Sequence, residues 1–304
     1  FALGLFSYNL WKIVRNIRLG KSKDRFDQPL KRIVILLKVA FGQTKLFARP
    51  VSGILHALVY WGFLVITIGT IEMMVDGIFN LDRSFGVLGG FYNLVTASGD
   101  IMAVLVLVSC IIFMFRRLFM KIKRFSGKEM KKSASIDAIT ALVIIVFLMI
   151  SLLTMNIGYL AIEHVEIEGY FPFSKQFVSF ISNWEISSII LFHKVSWWTH
   201  IMLVLIFLNE LPYSKHFHVV MSIPNVYFSN IENLGKMENM ASVTKEVKLM
   251  MNPNADQYAT LTTDVSTPES FGAKDVTDLN WVQLMNAYSC TECGRCTSEC
   301  PANQ

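Results

Sequence analysis

Long uncharged stretches alternate along this chain with short, strongly charged segments. Residues 50–71 and 138–162 contain no charged side chain, and residues 86–115 and 186–209 contain one each. A helix needs about 20 apolar residues to cross the hydrocarbon core of a bilayer. The pattern therefore predicts four membrane-spanning helices, at about residues 51–75, 93–116, 137–162 and 186–211.

A fifth span is expected at the start of the chain. Residues 1–11 are apolar but too few to cross a bilayer alone. Because the chain does not begin with Met, we predict that it starts inside a helix whose first half is missing. The predicted fold is thus an all-α bundle of about five spans. Basic residues follow the first apolar run instead of preceding it, so we expect no cleavable signal peptide.

The composition supports a membrane protein. Of the 304 residues, 53% are hydrophobic and 17% are charged, whereas soluble domains carry about a quarter charged residues. The net charge of +5 comes from clusters beside the apolar stretches, which is typical of topology signals and not of a nucleic-acid footprint. The composition excludes a soluble enzyme, and we expect a lipid membrane and no nucleic acid as partner.

The charge clusters predict the orientation of the spans. Residues 12–32 and 116–132 are rich in Lys and Arg, and such loops face the cytoplasm. The loops at residues 76–82 and 163–185 are acid-rich and basic-poor, which places them on the opposite side. Everything after about residue 212 is therefore expected in the cytoplasm.

Two further segments are defined by composition. Residues 33–47 mix apolar positions with Lys and Gly, which predicts either an amphipathic helix on the cytoplasmic membrane surface or a soluble connecting helix. Residues 223–280 are polar and poor in aromatics, which is typical of a cytoplasmic linker with small elements. The predicted domains are 1–222 in the membrane, 223–280 as linker, and 281–304 as a further, truncated domain. Its first residues, W-V-Q-L-M-N-A-Y, predict a helix.

The strongest chemical signal is a cysteine motif in the last predicted domain. Cys290, Cys293, Cys296 and Cys300 form C-x2-C-x2-C-x3-C-P, the bacterial ferredoxin pattern for a [4Fe-4S] cluster. Two-residue gaps let the thiolates converge on one cubane, and Gly294 relieves the tight turn. A zinc knuckle or disulfides are the alternatives, and disulfides are unfavourable in the cytoplasm. Either Cys300 closes a single cluster, or the motif opens a longer iron-sulfur domain.

Histidines within the spans predict haem b. Haem b takes two axial imidazoles from different helices at matching depth, and ionisable residues in a membrane are rarely without function. His56 and His218 both lie near the cytoplasmic side and are the predicted pair. His200 lies deeper and could ligate a second haem or compete for the first, but Ile66 occupies the position ten beyond His56. His193 is a ligand, a structural residue or a quinone contact, and structural hydrogen bonding is the alternative for the other three.

The remaining polar residues of the spans have weaker assignments. Lys194 and Asp100 are predicted either to snorkel towards the membrane surface or to contact a quinone or a haem propionate. His164 and His216 are expected at surfaces or interfaces. Cys110 is expected to be a small apolar filler in its span.

Two segments resemble a known family. G-I-L-H-A-L-V-Y-W-G-F from Gly53, and the run from H-K-V-S-W-W-T-H at His193 to His218, resemble the cytochrome b (gamma) subunit of respiratory nitrate reductase and the related membrane subunit of heterodisulfide reductase. The spacing of 18 between His200 and His218 matches two ligand histidines on one helix of that family. His56 matches one of two ligands on its second helix, and the other is absent here. The cysteine segment resembles the start of a heterodisulfide-reductase-like iron-sulfur domain.

The resemblance implies a function. In some bacterial proteins such a cytochrome b is fused to the iron-sulfur domain, as in the oxidoreductases that link electron-transfer flavoprotein to menaquinone. It implies one or two haems b, a soluble donor such as electron-transfer flavoprotein, menaquinone or ubiquinone as acceptor, and the bacterial inner membrane. The alternatives are quinol oxidation that feeds a cytoplasmic reductase, or a haem-free membrane anchor for an iron-sulfur protein. A transporter is disfavoured because repeated, broken helices are not evident.

Overall fold

The computed structural model describes residues 1–120, 122, 132–162, 168–233, 235–236, 239–252 and 272–302. The regular elements in these ranges are helical, apart from one isolated bridge between Lys21 and Asn280. The α-helices are α1 (Ala2–Ile17), α2 (Pro29–Leu36), α3 (Pro50–Phe79), α4 (Gly90–Phe119), α5 (Lys132–Ala161), α6 (Ile186–Glu210), α7 (His218–Tyr227), α8 (Ala241–Met251), α9 (Trp281–Tyr288) and α10 (Arg295–Ser298).

Four of the described helices, α3 to α6, are long and apolar enough to cross a membrane. Helices α3, α4 and α5 have 30 residues each, about 45 Å at 1.5 Å per residue, which exceeds the hydrocarbon thickness of about 30 Å. The four predicted spans are therefore confirmed as helices. Helices α3 and α4 extend beyond both predicted ends, α5 begins five residues earlier than predicted, and α6 begins at the predicted residue. Helix α1 is shorter, and a fifth span remains a prediction.

The long helices pack in chain order, α3 on α4, α4 on α5 and α5 on α6. Small residues permit the close approach, as is usual for membrane helices. A side chain at Gly62 would collide with Val106 of α4, and a Cβ at Gly158 would lie 3.0 Å from the Cβ of His193. Cys110 is 0% exposed in the apolar core between α4 and α5, where it fills space as expected.

The two ends of the bundle differ in charge. We call the end with Arg49, Arg116, Arg117 and Lys215 the basic end, and the end with Asp76 and Asp82 the opposite end. At the basic end, α1, α7 and α9 share an apolar core built from Ile13, Leu211, Phe217, Met221, Val282 and Met285. This core joins the segment before the cysteines to the helical bundle.

The segment predicted to be amphipathic forms two short elements. Helix α2 is followed by one π-helical turn, Leu37–Phe41. Leu30 and Val34 are exposed on α2, while the opposite face packs on α7. Helix α7 runs across the predicted domain boundary at residue 222. His164, most of the second basic cluster and residues 253–271 of the predicted linker lie outside the described residues.

Candidate metal centre

His56 and His218 are brought together at the basic end. His56 lies on α3, two turns from its start, and His218 is the first residue of α7. Their ring centres are 6.1 Å apart and the ring planes are inclined by 39°. Two imidazoles that bind one metal ion from opposite sides, each about 2 Å from nitrogen to metal, have ring centres about 6 Å apart. The pair therefore fits a shared iron ion.

Hydrogen bonding leaves one nitrogen of His218 available. His218 Nδ1 lies 2.9 Å from the carbonyl oxygen of Lys215 and donates to it in the corresponding tautomer, as metal-ligating histidines usually do. Burial lowers the pKa of His218, and burial followed by the proximity of His218 lowers the pKa of His216 to about 4. A lowered pKa favours the neutral ring, and with Nδ1 protonated a neutral ring offers a lone pair on Nε2.

His193 and His200 attach to the backbone of α5 in the same way. His193 Nδ1 lies 3.0 Å from the carbonyl of Met155, and His200 Nδ1 lies 3.0 Å from the carbonyl of Leu148. His193 and His200 are seven residues apart on α6, and Leu148 and Met155 are seven residues apart on α5. The contact therefore repeats after two helical turns. Ser151 Oγ adds a contact of 3.1 Å to His200 Nδ1. The sequence could not indicate these carbonyl partners, because backbone groups leave no signature in residue type.

His200 has a buried ring nitrogen that makes no hydrogen bond among the described residues. The residue is 1% exposed, and its Nε2 is buried without a hydrogen-bond partner among the described residues. His56 Nδ1 is likewise buried and makes no hydrogen bond among the described residues. An unpaired buried polar atom costs about 1–3 kcal/mol, and a metal bond would remove that cost. These observations fit haem b, whose iron takes only two protein ligands.

Asp100 and Lys194 are placed differently from each other. Asp100 is 1% exposed, and its carboxylate accepts bonds from the backbone N–H groups of Phe173 (2.8 Å) and Ser174 (3.0 Å), from Ser174 Oγ, and from Asn156 (3.4 Å). These contacts tie the 3₁₀ segment Ser174–Phe180 to α4 and α5. Lys194 is exposed on α6. The predicted quinone or propionate contacts of both residues stay predictions.

Helix α9, predicted from its sequence, is confirmed at Trp281–Tyr288. Asn280 accepts from the backbone N–H of Gln283, and the Gln283 side chain accepts from that of Asn280, so the helix starts with a capping box. The backbone of Lys21 pairs with the segment before α9. Its N–H donates to the carbonyl of Leu279 (2.8 Å), and its carbonyl accepts from the N–H of Trp281 (3.1 Å).

Side chains reinforce this docking of α9. Trp281 Nε1 donates to the carbonyl of Lys23 at 2.8 Å, and Asn16 donates to the Tyr288 hydroxyl at 3.0 Å. Backbone N–H groups of Asp275 and Lys274 donate to Asp278, and they lower the pKa of its carboxyl, with a smaller contribution from Lys21.

The cysteine loop begins directly after α9. Cys290 Sγ accepts from the backbone N–H of Glu292 at 3.4 Å, an N–H to sulfur contact of the kind that tunes iron-sulfur ligands. Gly294 has φ +70° and Glu292 φ +45°, so two left-handed residues turn the chain between cysteines. None of the five cysteines is in a disulfide. In the described residues no group of three or more His, Cys, Asp or Glu side chains is arranged to hold a metal, so the thiols do not converge, although the donor set fits a cluster.

The cysteine loop and the histidine pair lie at the same end of the bundle. Arg295 is within electrostatic range of His56, and Cys290 and Glu292 are within range of Lys215, whose pKa is lowered mainly by burial. Arg49, next to the start of α3, forms an ion pair with Glu299 at 3.1 Å. The two predicted metal sites thus share the basic end of the bundle.

Comparison with known proteins identifies two relatives. The chain is 29% identical over 303 residues to "Probable iron-sulfur-binding oxidoreductase FadF" of Bacillus subtilis and 24% identical over 308 residues to "EtfAB:quinone oxidoreductase" of Syntrophomonas wolfei. Each match covers 99% of this chain and 39% of the relative, so the chain spans about two fifths of these proteins. No protein-family model and no solved structure matches the chain. The similarity supports an oxidoreductase of this type.

Proposed function

We propose that this chain is the membrane part of an oxidoreductase that conducts electrons between a soluble donor and the quinone pool. Cys290, Cys293, Cys296 and Cys300 are proposed to hold a [4Fe-4S] cluster, and His56 with His218 to hold haem b. The observation that carries the proposal is that the cysteine loop and the His56–His218 pair lie at the same end of the bundle, where Arg49 beside α3 pairs with Glu299 of the loop. Both groups supply one-electron transfer when bound.

The residues of the chain would hold the two sites in a fixed relation. Helix α9 delivers the cysteines to the basic end, because its apolar face packs on α1 and α7. His218 begins α7, so the same helix that supports α9 also positions a haem ligand. Movement of α9 would therefore change the separation of the cysteines from His218.

A second haem is proposed at His200. Its buried, unpaired Nε2 favours a metal bond, and Ser151 with the Leu148 carbonyl orients the ring. Ile66 packs against the core cluster beside α4 and α5, so α3 does not offer an imidazole there. His193 is the remaining candidate for a quinone contact or a ligand. The centre of its ring lies 6.2 Å from that of Tyr159.

The name of one relative supports the proposed partners. The name of the Syntrophomonas wolfei protein contains both EtfAB and quinone, so we propose electron-transfer flavoprotein as donor and menaquinone or ubiquinone as acceptor. The basic end is proposed to face the cytoplasm of a bacterial inner membrane, in accord with the positive-inside rule. Quinol oxidation with the opposite flow uses the same residues.

The proposal is tested on the detergent-solubilised protein. We would record dithionite-reduced minus oxidised spectra, and determine haem by pyridine haemochrome and iron by chemical assay. A b-type band that is diminished in His56→Ala, together with iron that is lost in Cys293→Ser, is expected. A wild-type protein without a haem band would refute the electron path and would leave a haem-free anchor of an iron-sulfur protein.

A further inference from the structure

We propose that Asp137 is a positioning residue for His218. Its carboxylate accepts from the backbone N–H of Lys215, and the carbonyl of the same residue orients the His218 ring. The inference rests on the proposed function, because it concerns His218 as a haem ligand. It adds a residue outside the histidine set that controls how firmly the haem is held.

The contacts form a continuous chain from α5 to the ring. Asp137 Oδ1 accepts from Ser214 Oγ at 2.6 Å, and Oδ2 accepts from the backbone N–H of Lys215 at 3.1 Å. The carbonyl oxygen of Lys215 lies 2.9 Å from His218 Nδ1. Ser214 Oγ also accepts from the backbone N–H of His216 at 3.2 Å. The carboxylate thus binds both residues that open the turn before α7.

The other histidines show why the Lys215 carbonyl needs a further contact to hold it. We call the bonds from Asp137 to this turn the clamp. His193 and His200 use carbonyls of Met155 and Leu148, which lie inside the 30-residue helix α5 and are held by its hydrogen bonds. The Lys215 carbonyl lies instead in a single 3₁₀ turn, Lys215–Phe217, between α6 and α7. Such turns have weaker hydrogen-bond geometry than α-helices. A charged side chain from α5 supplies the missing rigidity.

The consequence for the metal follows from the Nδ1 bond. A well-directed Nδ1–H to carbonyl bond fixes the ring and raises the basicity of Nε2, and outer partners of this kind usually change metal affinity 10- to 100-fold. Without Asp137 the turn loosens and His218 becomes a weaker donor. A weaker donor stabilises ferric iron less, so the midpoint potential of this haem rises.

The test uses the full chain and two matched variants. Asp137→Asn removes the charge and one acceptor, and Ser214→Ala removes the bond to Asp137 Oδ1 and the bond from the His216 N–H but keeps the charge. Glu210→Gln is the control, because Glu210 is within electrostatic range of Asp137 and carries the same charge, but its side chain makes no hydrogen bond to the turn among the described residues. For each variant we would measure the rate of haem transfer to apomyoglobin, the midpoint potential and the iron content.

We expect haem transfer about ten times faster in Asp137→Asn, a smaller acceleration in Ser214→Ala, and a raised potential in both. Glu210→Gln should keep the wild-type transfer rate, and iron content should stay unchanged in all three, which would show that the variants fold. Equal rates of haem transfer in Asp137→Asn and Glu210→Gln would show that Asp137 does not position His218. If His218→Ala retains the full haem content, the assignment of His218 fails, and with it the reason for a clamp.

Discussion

His56 on α3 and His218 at the start of α7 face each other with ring centres 6.1 Å apart. The distance is close to that of His216 to His218, 6.0 Å, yet only His56 approaches from another helix. His216 lies in the same turn as His218, two residues away in the chain, where the Ser214 hydroxyl lies 3.2 Å from its Nδ1. The geometry thus favours His56 over His216 as the second ligand.

The first prediction separates these two pairs. His56→Ala and His218→Ala should each lose the same haem, and the double variant should lose no more than either single variant, because both residues bind one iron. His216→Ala should retain it. Pyridine haemochrome assays of the four proteins check this. Additive losses in the double variant would mean that the two residues bind different haems.

The second prediction concerns the orientation of His200. Ser151→Ala removes one of two contacts at Nδ1 but leaves the Leu148 carbonyl, so we expect retained haem with a small shift in its midpoint potential. His200→Ala should remove the second haem altogether. Thr154→Ala on the same helix, which bonds only to backbone carbonyls of α5, is the matched control. Redox titration followed at the haem band measures both effects.

The third prediction tests how α9 is docked. A Cβ at Gly20 would lie 2.5 Å from the backbone N of Trp281 and 2.7 Å from the carbonyl carbon of Asn280. Because backbone atoms cannot move aside independently, Gly20→Ala should displace α9, at a cost of about 1–3 kcal/mol. Gly4→Ala has open space and is the control. Hydrogen exchange of residues 281–288 should accelerate in the first variant only, and unchanged exchange in both would contradict the docking.

The fourth prediction concerns Arg32, which is 0% exposed. Its guanidinium donates to the carbonyls of Tyr227 (3.0 Å) and Ser229 (2.9 Å) at the end of α7, and to Asp27. Arg32→Ala leaves these carbonyls unpaired, which should destabilise the α2–α7 contact by about 2 kcal/mol. Limited proteolysis checks this, because a weaker α2–α7 contact should make cleavage within residues 18–36 faster. The neighbouring exposed Lys31 makes only one bond of 3.3 Å, to the Ile231 carbonyl, so Lys31→Ala should be cut more slowly than Arg32→Ala.

Arg32 also shows what the sequence could predict and what it could not. The apolar runs determine where helices form, so the spans and α9 followed from composition and spacing. Arg32 looked like one more basic residue of a topology signal, because its burial depends on the end of α7, far away in the chain. The carbonyl partners of His193 and His200, and the clamp from Asp137, depend on tertiary contacts in the same way. Residue types identify the candidate ligands, whereas their hydrogen-bond partners depend on how the helices pack.

The last prediction concerns acid conditions at the turn before α9. Backbone N–H groups of Asp275 and Lys274 donate to Asp278 and hold its pKa below the ordinary 3.8. A carboxyl whose pKa is lowered on folding stabilises the fold above its unfolded pKa, and this contribution disappears as the pH falls through the folded pKa. Docking of α9 should therefore stay constant from about pH 8 to pH 5 and weaken only below about pH 4. Asp278→Asn should imitate the acid state at pH 7 and accelerate hydrogen exchange in residues 279–288, whereas Asp82→Asn, with the same charge change at the opposite end, should not. Wild-type exchange in Asp278→Asn at pH 7 would show that the carboxylate does not support the docked helix.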